Sequence, residues 1–376
     1  MTVSYETPRV AAVHAAPVFL DLERSVARAC ALIEEAARAG AALVAFPESY
    51  LPAFPLWSAV TAPLGAHDFF RRLARNAMRV PGLELDRIAG VARRRGVIVS
   101  LGLTEGTEES VGTLWNANVL LGPDGSVLNH HRKLVPTFYE KLTWAPGDGA
   151  GLRVVESPAG RLGMLICGEN TNPLARYALA AQGEQIHVSS YPPTWPTRDP
   201  AGGGNYDLEA AIRLRAGAHA FEAKLFNVVV SGYIDASTRA ALAPLGGEAL
   251  RILEESSRGV SLVVGPTGAP VSETLRDEEG ILYADIDLAD SVEQKQFHDI
   301  TGGYNRFDVF QLTVDRTAQR PVAFTASGEP RAGAPTAPPA RLSAGALVAR
   351  DGGGEGAGDT ARGAADGEGA LSGPRI

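Results

Sequence analysis

Apolar residues recur along this chain in two rhythms. Short runs rich in Ala, Val, Ile and Leu read as buried strands; between them, apolar positions return every three or four residues, as on one face of a helix. Arg9–His14 reads as a strand, Asp21–Arg38 as an amphipathic helix, and Ala42–Phe46 as a second strand ending in FPESY. A helix around Leu85–Arg95 leads to a strand over Val97–Leu103. A hairpin then joins Leu114–Leu121 to Ser126–His131 across Gly122, Pro123, Asp124 and Gly125, all turn formers. The alternation continues with the strand Arg161–Ile166, a helix from Pro173 to about Ala181, the strand Gln185–Ser190, a helix from about Asn205 to Ala223 and the strand Phe226–Val230. Strands at Val260–Val264 and Gly280–Asp285 close the pattern, which is that of an α/β fold.

From about Ala326 the rhythm stops. The chain becomes Gly, Ala, Pro and Arg with scattered acids, a composition that cannot bury enough apolar surface to offset its ordering entropy, so disorder is expected there. The stretch that follows this break reads as a C-terminal extension.

Composition narrows the possibilities. The chain has 376 residues, 45% of them hydrophobic, and a formal net charge of −8. An acidic chain is a poor match for nucleic acid or an anionic membrane, both of which reward clustered Lys and Arg, so a small neutral or weakly charged ligand is expected. Two cysteines, Cys30 and Cys167, provide neither a disulfide framework nor a thiolate metal cluster. The N-terminus lacks a secretory signal and no apolar stretch approaches the ~20 residues of a membrane span, so a cytoplasmic location is expected.

The chemistry gathers where strands end. In LICGENTN, Cys167 sits between a strand and a helix, with Asn172 as a plausible N-cap and Pro173 at the first helical position. A thiol at such an elbow lies near backbone N–H groups that favour negative charge, which a thiol of pKa ~8.5 needs in order to react at neutral pH. Gly168 lets a reacting centre approach closely, and its N–H could hold a developing anion. Cysteines are also common small core residues, and on these residues alone both readings stand. Glu48 in FPES is a carboxylate directly after a buried strand, where α/β sites collect; the alternative is a solvated loop acid. Lys133 follows the locally basic His130, His131 and Arg132, and taken singly reads as surface charge.

Together, FPESY, HRKLVPTFYEKLTWAPGDG and LICGENTNPLARYALAAQGEQIHVSSYPP resemble, in order, the motifs of the nitrilase branch of the carbon–nitrogen hydrolase superfamily. RLRAGAHAFEAKLFNVVVSG and FHDITGGYNRFDVFQL extend the resemblance over residues 1–316, which implies one catalytic domain there and a C-terminal extension over 317–376. The resemblance implies a four-layer αββα sandwich, dimers built through the helical face near the cysteine, and larger homo-oligomers or spirals. It implies Cys167 as nucleophile, Glu48 as general base, Lys133 as the group stabilising the tetrahedral intermediate, and Glu140 as a second glutamate ordering lysine and water. The expected substrates are a nitrile and water, the products a carboxylic acid and ammonia, and no metal or organic cofactor is needed. One departure stands out. Many nitrilases have Cys-Trp-Glu where this chain has Cys167, Gly168 and Glu169, which alters the space beside the sulfur. Glu169 then reads as a residue ordering the loop.

Trp57, Tyr139, Trp144, Tyr191 and Trp195, with Gly168, are expected to line a substrate pocket suited to an aryl or arylalkyl nitrile. Each aromatic also has a core or interface reading. An amidase with the same residues is the alternative activity, and a non-catalytic scaffold a third. Adjacent His130 and His131 point to opposite faces of a strand and read as structural. His187 and His219 read as standing alone, without partners at ligand spacing, Cys30 reads as helix packing, and GDGAG at 147–151 lacks the companions of a phosphate-binding loop.

Overall fold

The computed structural model describes residues 7–319. Eleven strands and eight helices follow one another as β1 (Arg9–His14), α1 (Leu22–Arg38), β2 (Leu43–Ala45), α2 (His67–Arg75), α3 (Leu83–Arg95), β3 (Ile98–Gly106), β4 (Leu114–Leu121), β5 (Val127–Arg132), β6 (Val155–Ser157), β7 (Gly160–Ile166), α4 (Pro173–Ala180), β8 (Ile186–Tyr191), α5 (Leu208–Ala223), β9 (Phe226–Ser231), α6 (Ala236–Leu242), α7 (Gly247–Glu255), β10 (Leu262–Val264), β11 (Gly280–Asp285) and α8 (Asp290–Phe297). The expected elements are all present, with ends shifted by a few residues. The sequence pattern missed β6 and the helices α2, α6, α7 and α8. The stretch from about Ala326, expected to be disordered, lies outside the described residues.

The strands form two sheets, ordered β11-β1-β2-β3-β4-β5 and β10-β9-β8-β7-β6. Period-2 alternation explains how they stack, because many strands are apolar on both faces. In the first sheet, Val13, Val44, Leu101 and Val119 pack beneath α1 and α3 against Val26, Ile33, Ile88 and Val91. The opposite face offers Val10, Leu43, Ile98 and Leu120, which meet Leu162, Met164, Val188 and Val228 of the second sheet. The second sheet's outer face packs on α4 through Leu165 and on α5 through Val229 and Tyr191. The result is the expected αββα sandwich. Each fully buried Val or Leu in these layers contributes roughly 1.5–3 kcal/mol.

Local signals set the helix ends. Asp21 accepts a hydrogen bond from the Arg24 N–H at 3.0 Å and starts α1, and Asn172 does the same for Leu174 ahead of Pro173 in α4. Cys30, on α1, packs against the outer core as expected of it. Among the described residues no helix is long and apolar enough to cross a membrane.

Candidate active site

Strand direction brings the singled-out residues together. β1, β2 and β3 run parallel, β4 reverses, and β5 reverses again, so Glu48 after β2 and Lys133 after β5 leave the first sheet at the same edge. Cys167 follows β7 of the second sheet. The acidic and sulfur atoms of Glu48, Glu140 and Cys167 lie within 4.8 Å of one another, and all three residues are buried. The Lys133 Nζ lies between the carboxylates, donating to Glu48 Oε1 at 2.7 Å and to Glu140 Oε2 at 2.6 Å. An ammonium there occupies the place a metal cation would need.

Each member is held from outside the cluster. Asn116 of β4 donates from Nδ2 to Glu48 Oε1 at 2.6 Å. Glu140 lies in a 3-10 turn over Phe138–Leu142, and its Oε2 also accepts from the Thr137 N–H at 2.8 Å. Glu169 ties the two sheets' loops together. Its carboxylate accepts from the N–H of Leu134 at 2.6 Å, from that of Ile166 at 2.8 Å and from the His131 ring at 3.0 Å, which fits the loop-ordering role read for it. His130 bonds Glu105 instead, so the two histidines serve different carboxylates. Cys167 adopts φ of +49°, in the left-handed region that side chains rarely enter, at the start of a 3-10 turn over Cys167–Thr171. Such backbone strain is typical of functional elbows and costs about 1–3 kcal/mol.

Burial and charge set the proton affinities. Burial raises the Glu48 carboxyl to about 7, with Lys133 opposing the shift and Glu140 reinforcing it. Burial likewise pushes the Cys167 thiol well above its ordinary value, helped by Glu48 and opposed by Lys133. Burial alone would lower Lys133, but the two carboxylates outweigh it and keep the ammonium charged. Several polar atoms here have no hydrogen-bond partner within the protein: Glu48 Oε2, Glu140 Oε1, and the hydroxyls of Tyr139 and Tyr191. Lys133 also has a third N–H beyond the two it donates.

The aromatic residues form a continuous wall. Tyr139 and Trp195 stack with ring centres 5.4 Å apart, and Trp195 meets Tyr206 edge-on at 5.3 Å. Tyr191 and Trp195 share a packed cluster with Cys167. Trp144 bonds Thr104 through its indole N–H at 3.3 Å and meets Phe54. Trp57 is stacked on Phe69 at 5.3 Å and borders a separate cleft with Ser58, Pro63 and Phe70. A narrow cleft of about 20 Å³ reaches Glu48 between Phe19, Phe54, Pro193 and Tyr233. A Cβ built on Gly168 would come within 2.7 Å of the Thr137 hydroxyl, so Thr137 takes up the space that a larger residue would need here.

The sequence pattern missed Asn116, which stands in an otherwise apolar strand with a second buried asparagine, Asn118, two positions on; that repeat was the available signal. It also misread His187 and His219. They do not stand alone: both bond the buried Glu184, with ring centres 4.5 Å apart.

An αββα sandwich that buries a lysine between two glutamates beside a thiol defines a narrow class, and comparison with known proteins agrees. The profile of the carbon–nitrogen hydrolase family matches residues 9–296, and the chain belongs to that family, in its nitrilase branch. It is 35% identical over 320 residues to Nitrilase 3 of an unknown prokaryotic organism, covering 82% of this chain and 91% of that protein. It is 34% identical to an arylacetonitrilase of Hypocrea virens, over 82% of this chain and 92% of that protein. Among solved structures, a Saccharomyces cerevisiae member of branch 10 of the nitrilase superfamily matches with a TM-score of 0.62 and 19% identity, over 81% of this chain and all of that one, a likeness of fold.

Proposed function

We propose that the protein hydrolyses a nitrile to its carboxylic acid and ammonia, with Cys167 as nucleophile. The observation that carries this reading is the buried set of Glu48, Lys133, Glu140 and Cys167, with acid and sulfur atoms inside 4.8 Å. Glu48 takes the thiol proton as sulfur bonds the nitrile carbon, and the nitrile nitrogen gains a proton to give a thioimidate. Water adds, ammonia leaves, and the thioester that remains is hydrolysed by a second water activated by Glu48. Sulfur recovers its proton, and two waters are consumed for each nitrile. The spare N–H of Lys133 and the backbone N–H of Gly168 stabilise the negative charge that develops, a contribution of about 3 kcal/mol per donor. Glu140 fixes Lys133 and orders the water.

The substrate is an aryl or arylalkyl nitrile. This is supported by the ring wall of Tyr139, Trp144, Tyr191 and Trp195, by the apolar cleft that reaches Glu48, and by the arylacetonitrilase among the relatives. Trp57 shapes the wall from behind. Homo-oligomers built on the outer face of α4 and α5 are supported by the exposed Leu174, Leu214 and Phe221.

The deciding experiment measures ammonia release as kcat/KM for phenylacetonitrile, a short aliphatic dinitrile and the matching amides on one preparation. Phenylacetonitrile is expected to lead. A preference for the dinitrile rejects the aromatic pocket, and faster turnover of the amides rejects nitrile hydrolysis as the main activity.

A further inference from the structure

A second buried polar cluster lies between the outer face of the second sheet and α5. Glu184, His187 and His219 are each at most 2% exposed. The Glu184 carboxylate sits over Gly163 of β7, the strand partner of His187, and a Cβ there would come within 1.9 Å of Glu184 Oε1, so the glycine makes room for it. Oε1 meets His187 Nδ1 at 2.6 Å and Oε2 meets His219 Nε2 at 3.0 Å. The carboxylate oxygens and the ring nitrogens facing them are spent on one another, which makes the trio a hydrogen-bonded unit and not a cation site.

From His187 the bonds run on to the nucleophile. Its Nε2 meets Asn170 Oδ1 at 2.9 Å, while Asn170 Nδ2 donates to the carbonyls of Cys167 at 3.1 Å and Leu165 at 3.2 Å. Those two carbonyls fix the amide's orientation, because only its NH2 can donate to them. Asn170 Oδ1 therefore faces His187 as an acceptor and requires an N–H from Nε2. Glu184 Oε1 meets Nδ1, so His187 is bonded through both of its ring nitrogens. Burial alone would raise Glu184, but the two histidines outweigh it and hold the acid at about 2. Burial and the neighbouring His187 hold His219 down at about 4, so it stays neutral, and its Nδ1 has no partner.

We propose that His187 is a positioning residue for Cys167: its ring, anchored by Glu184, locks the Asn170 amide against the carbonyls around the elbow and so holds the thiol's left-handed backbone in place. The kinetic consequence rests on Cys167 being the nucleophile; the geometric one does not.

The test uses the full chain carrying Cys30→Ala, so that alkylation by iodoacetamide reports Cys167 alone. His187→Leu is expected to lower kcat by about tenfold to a hundredfold, the scale of a slightly misplaced reacting group, with KM within about twofold and alkylation slowed in parallel. His219→Gln keeps an N–H for Glu184 and should stay within about threefold of the parent. A folded His187→Leu protein with parental kcat and alkylation rate overturns the proposal. Should that variant not fold, neutron diffraction on the parent protein decides: deuterium on His187 Nε2, facing Asn170 Oδ1, supports the proposal, and a bare Nε2 overturns it. If the parent releases no ammonia from any nitrile, the functional reading fails while the alkylation rates and the neutron map still judge this inference.

Discussion

Two of the buried clusters of ionisable groups, one containing Cys167 and one bonded to it through Asn170, differ in how completely they are bonded. In the Glu184 cluster both carboxylate oxygens and both nitrogens of His187 are engaged, leaving only His219 Nδ1 without a partner. In the Glu48 cluster each glutamate keeps one oxygen free, Lys133 keeps a proton, and two tyrosine hydroxyls nearby are unpaired. Burying unsatisfied polar atoms is unfavourable by about 1–3 kcal/mol each, so their concentration at one place needs a reason. A closed network holds geometry, whereas an open one leaves bonds for a substrate to complete.

The sharpest break in this contrast comes from the open cluster. Cys167→Ala should abolish ammonia release while circular dichroism stays unchanged, because removing the nucleophile deletes the covalent pathway; Cys30→Ala should change the rate by less than about twofold. Substantial turnover by Cys167→Ala would end the mechanism. Next in size, Lys133→Ala leaves two buried carboxylates without their counter-charge. It should lower kcat by at least about a hundredfold and stability by about 3–5 kcal/mol, read from ammonia assays and urea melts. A melt within error of the parent would mean that the ammonium does not offset the buried acids.

The smallest effect is on pH. Glu48 must be ionised to accept the thiol proton, so kcat/KM should fall as pH drops below about 7, the value to which burial raises this carboxyl. Asn116 bonds the charged form, and Asn116→Ala should therefore move that limb to higher pH by less than about one unit. A downward shift would contradict the bond.

What the sequence disclosed follows from what is local. Glu48 and Cys167 each follow an apolar strand whose end is punctuated, by Pro47 and by Gly168, while Lys133 follows the locally basic end of β5. The Glu184 cluster carries no such mark, since His219 and Glu184 are 35 residues apart and meet only when α5 packs on the sheet. Asn116 gains its meaning from Glu48, 68 residues earlier and two strands away in the same sheet. The missed helices are short, nine residues at most, and helices of that length owe their stability to packing more than to their own periodicity.

The Glu169 bridge joins a strand of the first sheet to one of the second, and the chemistry spans the same seam: base and lysine on one side, sulfur on the other. Neither half can activate the thiol alone. The first sheet is completed only when β11, near the end of the described chain, pairs with β1. The Cys167 sulfur therefore meets the two glutamates only where the sheets close on each other.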